Sequence, residues 1–148
     1  MLGDEEWKNG RIEVENMEEK TKYITHFQDL YVYQRLFKLS RVVIKKIIPK
    51  LPNEEKYDLS DQMRRAAKAC TAIIAEGFPK RFQKKHWSKY LTDAIGECDE
   101  MINHLMQIQN LYDEIIKSDS IQIVINEYEI SKRQLFALDK SWKDYHKK

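Results

Sequence analysis

Apolar residues recur three and four positions apart through most of the chain, with charged residues filling the gaps, and this period predicts amphipathic helices. The first starts near Asp29, a residue suited to cap it, and follows Leu30, Tyr33, Phe37, Ile44 and Ile48, with Leu36, Val43 and Ile47 widening the stripe. Arg35, Lys38, Arg41 and Lys45 fall on its other face, and Pro49 and Pro52 stop it. A second helix, capped by Asp58 or Ser60, runs to Gly77 along Leu59, Met63, Ala66, Cys70 and Ile73. This spacing is the seam of bundle packing. Its alanines at 66, 67, 69, 72 and 75 keep it slim, which suits a bundle centre or a subunit interface.

Gly77-Phe78-Pro79 is the clearest break, with glycine suited to the left-handed residue after a helix. A third helix is expected from about Gln83 to Ile116 through Trp87, Leu91, Ala94, Cys98, Met101, Leu105, Ile108, Tyr112 and Ile115. Ile95, Ile102 and Ile116 add a second stripe, a breadth that predicts an oligomer. Ser118-Asp119-Ser120 then reverses the chain into a fourth helix marked by Val124, Tyr128, Leu135, Leu138, Trp142 and Tyr145. Ile121 to Ile125 alone suits a strand, but the helical spacing beyond it prevails. The expected fold is all-α, an antiparallel up-down four-helix bundle over residues 27–148. An acidic, loosely ordered leader over residues 1–26 precedes it, with a hairpin signal at Asn9-Gly10.

Composition narrows the class. Four glycines and three prolines are too few for the many turns of an all-β fold. The two cysteines, Cys70 and Cys98, form no zinc spacing and read as reduced core residues. No run is apolar enough to span a membrane and the acidic start lacks the order of a signal peptide, so the expected location is the cytoplasm, away from membranes. The net charge of +2 is unevenly spread. Residues 1–30 carry four basic against eight acidic side chains, residues 31–92 fifteen against five, and residues 93–148 seven against eleven. The basic middle suits either a polyanion-binding surface or a set of solvated helix faces.

Several segments, in order and spacing, resemble the 23S rRNA intervening sequence family. They are Phe27-Gln28-Asp29-Leu30-Tyr31-Val32-Tyr33-Gln34, Tyr57-Asp58-Leu59 with Gln62-Met63-Arg64-Arg65-Ala66-Ala67, Ile74-Ala75-Glu76-Gly77, and Tyr90-Leu91-Thr92-Asp93-Ala94-Ile95-Gly96-Glu97. The resemblance implies an up-down four-helix bundle, assembly into a homopentameric ring, and no enzymatic activity. It also implies kinship with the accessory proteins of diversity-generating retroelements, which bind nucleic acid and a reverse transcriptase. The chain departs from the family pattern at Ile73, where asparagine is usual, and at Glu97, where serine is usual, so no site is carried over at those positions.

Antiparallel topology sorts the basic residues into two ends. Lys45, Lys46 and Lys50 meet Arg64, Arg65 and Lys68 at one end; Arg35 lies toward the other with Lys80, Arg81, Lys84, Lys85 and Lys89. Arg64, Arg65, Lys68, Lys80, Arg81, Lys84, Lys85 and Lys89 are therefore the candidate nucleic-acid contacts, for RNA or single-stranded DNA. Phe78, Phe82, His86 and Trp87 either stack on unpaired bases or staple the turn, the structural use being favoured. Glu76, at a helix end that disfavours anions, calls for a basic partner, a structural use for Arg64 or Arg65.

A di-metal bundle site needs two Glu-x-x-His pairs and two further glutamates, whereas only Glu97, Glu100 and His104 lie near one another; no metal or cofactor is expected. His26, His86 and His146 fall near helix ends and are expected to face water. With no nucleophile motif or phosphate loop, the expected function is non-enzymatic binding of nucleic acid by a homo-oligomer. A protein adaptor without nucleic-acid contact is the alternative.

Overall fold

In a computed structural model, described here over residues 24–145, the periodic segments form four helices. The leader lies outside the described residues apart from its last three, as do the Asn9-Gly10 hairpin signal and His146.

Helix α1 (Tyr31–Val42) follows a 3-10 turn at Phe27–Asp29 and continues through a π-helical turn, Val43–Ile47, into a 3-10 turn at Ile48–Lys50. Asp29 does not cap α1. Its Oδ2 accepts the backbone N–H groups of Thr25 and His26, each at 3.1 Å, and these bonds lower the pKa of its carboxyl. The buried stripe of α1 is Val32, Leu36, Leu39, Val43 and Ile47, rotated from the expected one, and Phe37 is 59% exposed. The helix carries two apolar stripes, and the bundle takes the more aliphatic. The π turn inserts an extra residue per turn, which rotates the end of the helix. Both Ile47 and Ile48 are buried before proline ends the run.

Arg35, placed on the polar face by its charge, is 3% exposed and donates through Nη1 to Glu127 Oε2 on the fourth helix. Charge predicts exposure only where no partner is available, and here the partner lies 92 residues away in sequence.

Helix α2 (Leu59–Gly77) buries Leu59, Met63, Ala66, Cys70 and Gly77 as its seam requires. Asp58 Oδ1 accepts the Gln62 side-chain amide at 2.7 Å instead of a backbone cap bond, and Ser60 is already inside the helix. Ile73 is partly buried against the core. Cys70 and Cys98 are buried free thiols with sulfurs 3.9 Å apart. Gly77 is not left-handed: its φ of −77° and ψ of −25° are ordinary helical values. A Cβ there would lie 2.5 Å from Cβ and Cγ of Tyr90, so close helix packing, rather than chain reversal, demands glycine.

Helix α3 (Lys84–Leu111) ends five residues earlier than the period suggests, because Tyr112 leaves helical geometry and donates its hydroxyl to Glu55 at 2.8 Å. Ile116 is buried beyond it and Ile115 is exposed. The second stripe, Ile95, Ile102 and Ile116, is covered within the chain, so this breadth is no argument for an oligomer. Helix α4 (Ser118–Tyr145) absorbs the strand-like run, burying Ile121, Val124 and Ile125 on the helical face that continues through Tyr128, Leu135 and Leu138.

Short turns join successive helices, each packs on the next, and α1 closes against α4, giving an antiparallel up-down four-helix bundle. Among the described residues there is no strand, and no helix is long and apolar enough to cross a membrane.

Candidate nucleic-acid interface

The two expected basic ends differ in quality. At the α1–α2 end, Lys45, Lys46, Lys50, Arg65 and Lys68 are exposed and Arg64 is half-buried. Carboxylates are interleaved with them: Arg65 pairs with Asp61 at 3.2 Å, and Glu54 and Asp58 are exposed nearby in sequence. Glu76 makes no ion pair with Arg64 or Arg65, which lie about 18 Å upstream along the same helix at 1.5 Å per residue. The cation it influences is Lys80, whose pKa is raised first by its hydrogen bond to Tyr90 Oη at 3.0 Å and further by Glu76.

At the opposite end the turn between α2 and α3 is held by aromatic packing. Trp87 is 1% exposed, with ring centroids of Phe78 and Trp142 each 6.0 Å away, and Phe78 is buried beside it. These rings staple the turn and are closed to a nucleobase. Arg81 lies over Phe78 and Phe82 at 4.2 and 4.5 Å from their centroids, and Nη1 donates to the Phe78 carbonyl at 3.1 Å. The guanidinium therefore braces the turn. Phe82 and His86 are exposed. Arg35 is not part of this cluster, being sealed against Glu127.

Lys84, Lys85 and Lys89 belong together on one wall of a groove of about 910 Å³, and α4 supplies Lys140 and Lys143 from the other wall. Five lysines thus face one groove, against Asp139 and Asp144. Asp139 is largely engaged: its Oδ2 accepts Ser88 Oγ and Lys143 Nζ, each at 3.1 Å, which ties the two walls and orients that lysine. Lys89 pairs with Asp93 at 2.8 Å, and this hydrogen bond raises the lysine pKa, keeping it charged. Lys85 and Lys140 are exposed and have no carboxylate within 4.0 Å among the described residues. Phe136, 59% exposed, lines the α4 wall. Charge counting missed the α4 half because that segment is acidic as a whole. The one available signal was a phenylalanine off the buried stripe of α4, followed at four and seven positions by lysines.

The carboxylates on α3 behave differently. Glu97 has a raised pKa, chiefly from burial and then from a hydrogen bond with Glu100, and His104 Nε2 is 3.3 Å from Glu100 Oε1. His104 is buried, and among the described residues no three ligand-type side chains converge so as to hold a metal ion. The geometry is that of one-turn helix contacts.

No curated protein matches the chain. The family model described as 23S rRNA-intervening sequence protein matches residues 28–137, which takes in α1 to α3, the α3 wall of the groove and Phe136, and stops short of Lys140 and Lys143. With most of its length matched and four helices where the resemblance implies them, the chain belongs to the 23S rRNA-intervening sequence protein family.

Proposed function

We propose that this protein is a non-enzymatic, self-associating helical bundle of the cytoplasm that binds RNA or single-stranded DNA through the groove between α3 and α4. The observation that carries this function is the convergence of five lysines from two helices on one groove that two carboxylates line, one of them, Asp139, engaged by Ser88 and Lys143. Closely spaced ammonium groups on a rigid frame displace the counterions of a phosphate backbone, which is the main source of affinity for nucleic acid. The family's link to 23S rRNA is compatible with such a ligand.

Fluorescence anisotropy with a labelled RNA is the test. Binding is expected at about 50 mM salt, falling with a log–log slope near −3 if four or five phosphates are contacted. Lys85→Glu with Lys140→Glu is expected to weaken it at least about tenfold and to flatten the slope. Lys50→Glu with Lys68→Glu, at the diluted end, is expected to do less. Absence of binding at low salt, or equal loss from both pairs, contradicts the assignment. The protein-adaptor alternative draws on the exposed apolar side chains Met106 and Ile123, and it requires a protein complex that survives nuclease treatment.

A further inference from the structure

We infer that the α3–α4 groove takes an unpaired nucleotide segment, its phosphates held by the lysines and one base stacked on Phe136. This deepens the nucleic-acid function proposed above and rests on it. Phe136 is a large apolar ring left more than half exposed on the wall of an otherwise charged groove, and it meets no other aromatic ring among the described residues. Asp139, Lys140 and Lys143 follow it three, four and seven positions on, so they share its side of α4. Lys85, Lys89 and Thr92 stand at matching intervals on the opposite wall. A ring flanked by ammonium groups on two sides is the arrangement that accepts a base with its neighbouring phosphates.

The frame favours one strand over two. Packed helices lie about 8–10 Å apart, so the furrow between α3 and α4 is narrow, and its volume of about 910 Å³ is that of a ligand-sized cleft. In a duplex the faces of each base are covered by its stacked neighbours, leaving Phe136 nothing to receive. A duplex touches such a groove through phosphates alone. Asp139 does not oppose this placement, because its Oδ2 is held by Ser88 and Lys143 within the walls.

The test uses the full chain and three labelled probes of equal length: a single strand, an abasic strand with the same phosphates, and a blunt duplex. The base-bearing strand is expected to bind about tenfold tighter than the abasic strand. Phe136→Ala is expected to erase that difference by weakening the base-bearing strand far more than the abasic one, and Phe136→Trp to retain it. As Phe136 lies outside the core, both variants are expected to keep the wild-type circular dichroism. Equal binding of base-bearing and abasic strands by the wild type, or a preference that survives Phe136→Ala, overturns the inference. If all probes bind and respond to Lys85→Glu with Lys140→Glu but not to Phe136→Ala, the stacking site is overturned and the nucleic-acid function stands. If no probe binds at low salt, both fall.

Discussion

At the residue scale, Gly77 shows two effects of opposite sign. Its backbone is ordinary right-handed helix, where alanine outranks glycine by about 1 kcal/mol, so propensity alone makes Gly77→Ala stabilising. The added methyl, however, would sit 2.5 Å from Tyr90 Cβ, an atom fixed to the backbone of α3, and overpacking of this kind costs about 1–3 kcal/mol. Gly77→Ala is therefore expected to lower the melting temperature; a rise on Gly77→Ala shows that the helices part freely. Glu97 supplies a pH dependence. Burial and the neighbouring Glu100 raise its pKa, so the fold favours its protonated form. That contribution is complete below the ordinary carboxylate range and is lost as pH rises through the raised value. Glu97→Gln, which removes the charge and keeps the shape, is expected to raise the melting temperature at pH 7 and to change little at pH 4. A gain of equal size at both pH values rules out titration as its cause.

At the scale of elements, the Arg35–Glu127 pair joins α1 to α4 with both side chains more than nine-tenths buried. Truncating one partner strands a buried charge, at a cost of about 3–5 kcal/mol, whereas replacing both with apolar residues of similar volume is often nearly neutral. Chemical denaturation is expected to show Arg35→Met and Glu127→Leu each strongly destabilised and the double variant close to wild type. Additive losses in the double variant contradict a coupled pair. The same contact shows why α1 was harder to read than α2. α2 has one apolar seam, so its spacing has one solution, while α1 has two stripes and an arginine whose partner belongs to another helix. Periodicity is a local property, and it continued through Tyr112, Ile115 and Ile116 although the chain turns there to bond Glu55. The groove divides likewise. Its α3 wall stood out as a basic cluster, but Phe136, Lys140 and Lys143 acquire meaning only when α4 lies beside α3.

For the whole molecule, the apolar stripe that α1 buries only in part bears on assembly. Phe37, 59% exposed, stacks on Tyr33 at 5.8 Å between centroids, while Tyr33, Phe27 edge-on to it at 4.9 Å, and Ile44 are partly buried against the core. An exposed ring continuous with a half-buried apolar stripe is the kind of feature that a closed ring of identical subunits covers, and the ring implied by the family resemblance would set one lysine groove per subunit around it. Phe37→Asp separates assembly from folding, because Phe37 contributes little to the core and its loss leaves the buried stripe of α1 intact. Light scattering is expected to give the wild type a mass several times the 17.8 kDa of one chain, and the variant the mass of one chain with unchanged helicity. If the grooves act together, the variant also loses affinity for a long single strand by a factor of about 10²–10⁴, the loss of avidity, while its affinity for a strand short enough to fill one groove is preserved. A wild type with the mass of a single chain, or a variant that keeps the multiple, removes α1 from the interface. Equal losses on long and short strands show that the grooves bind independently of assembly.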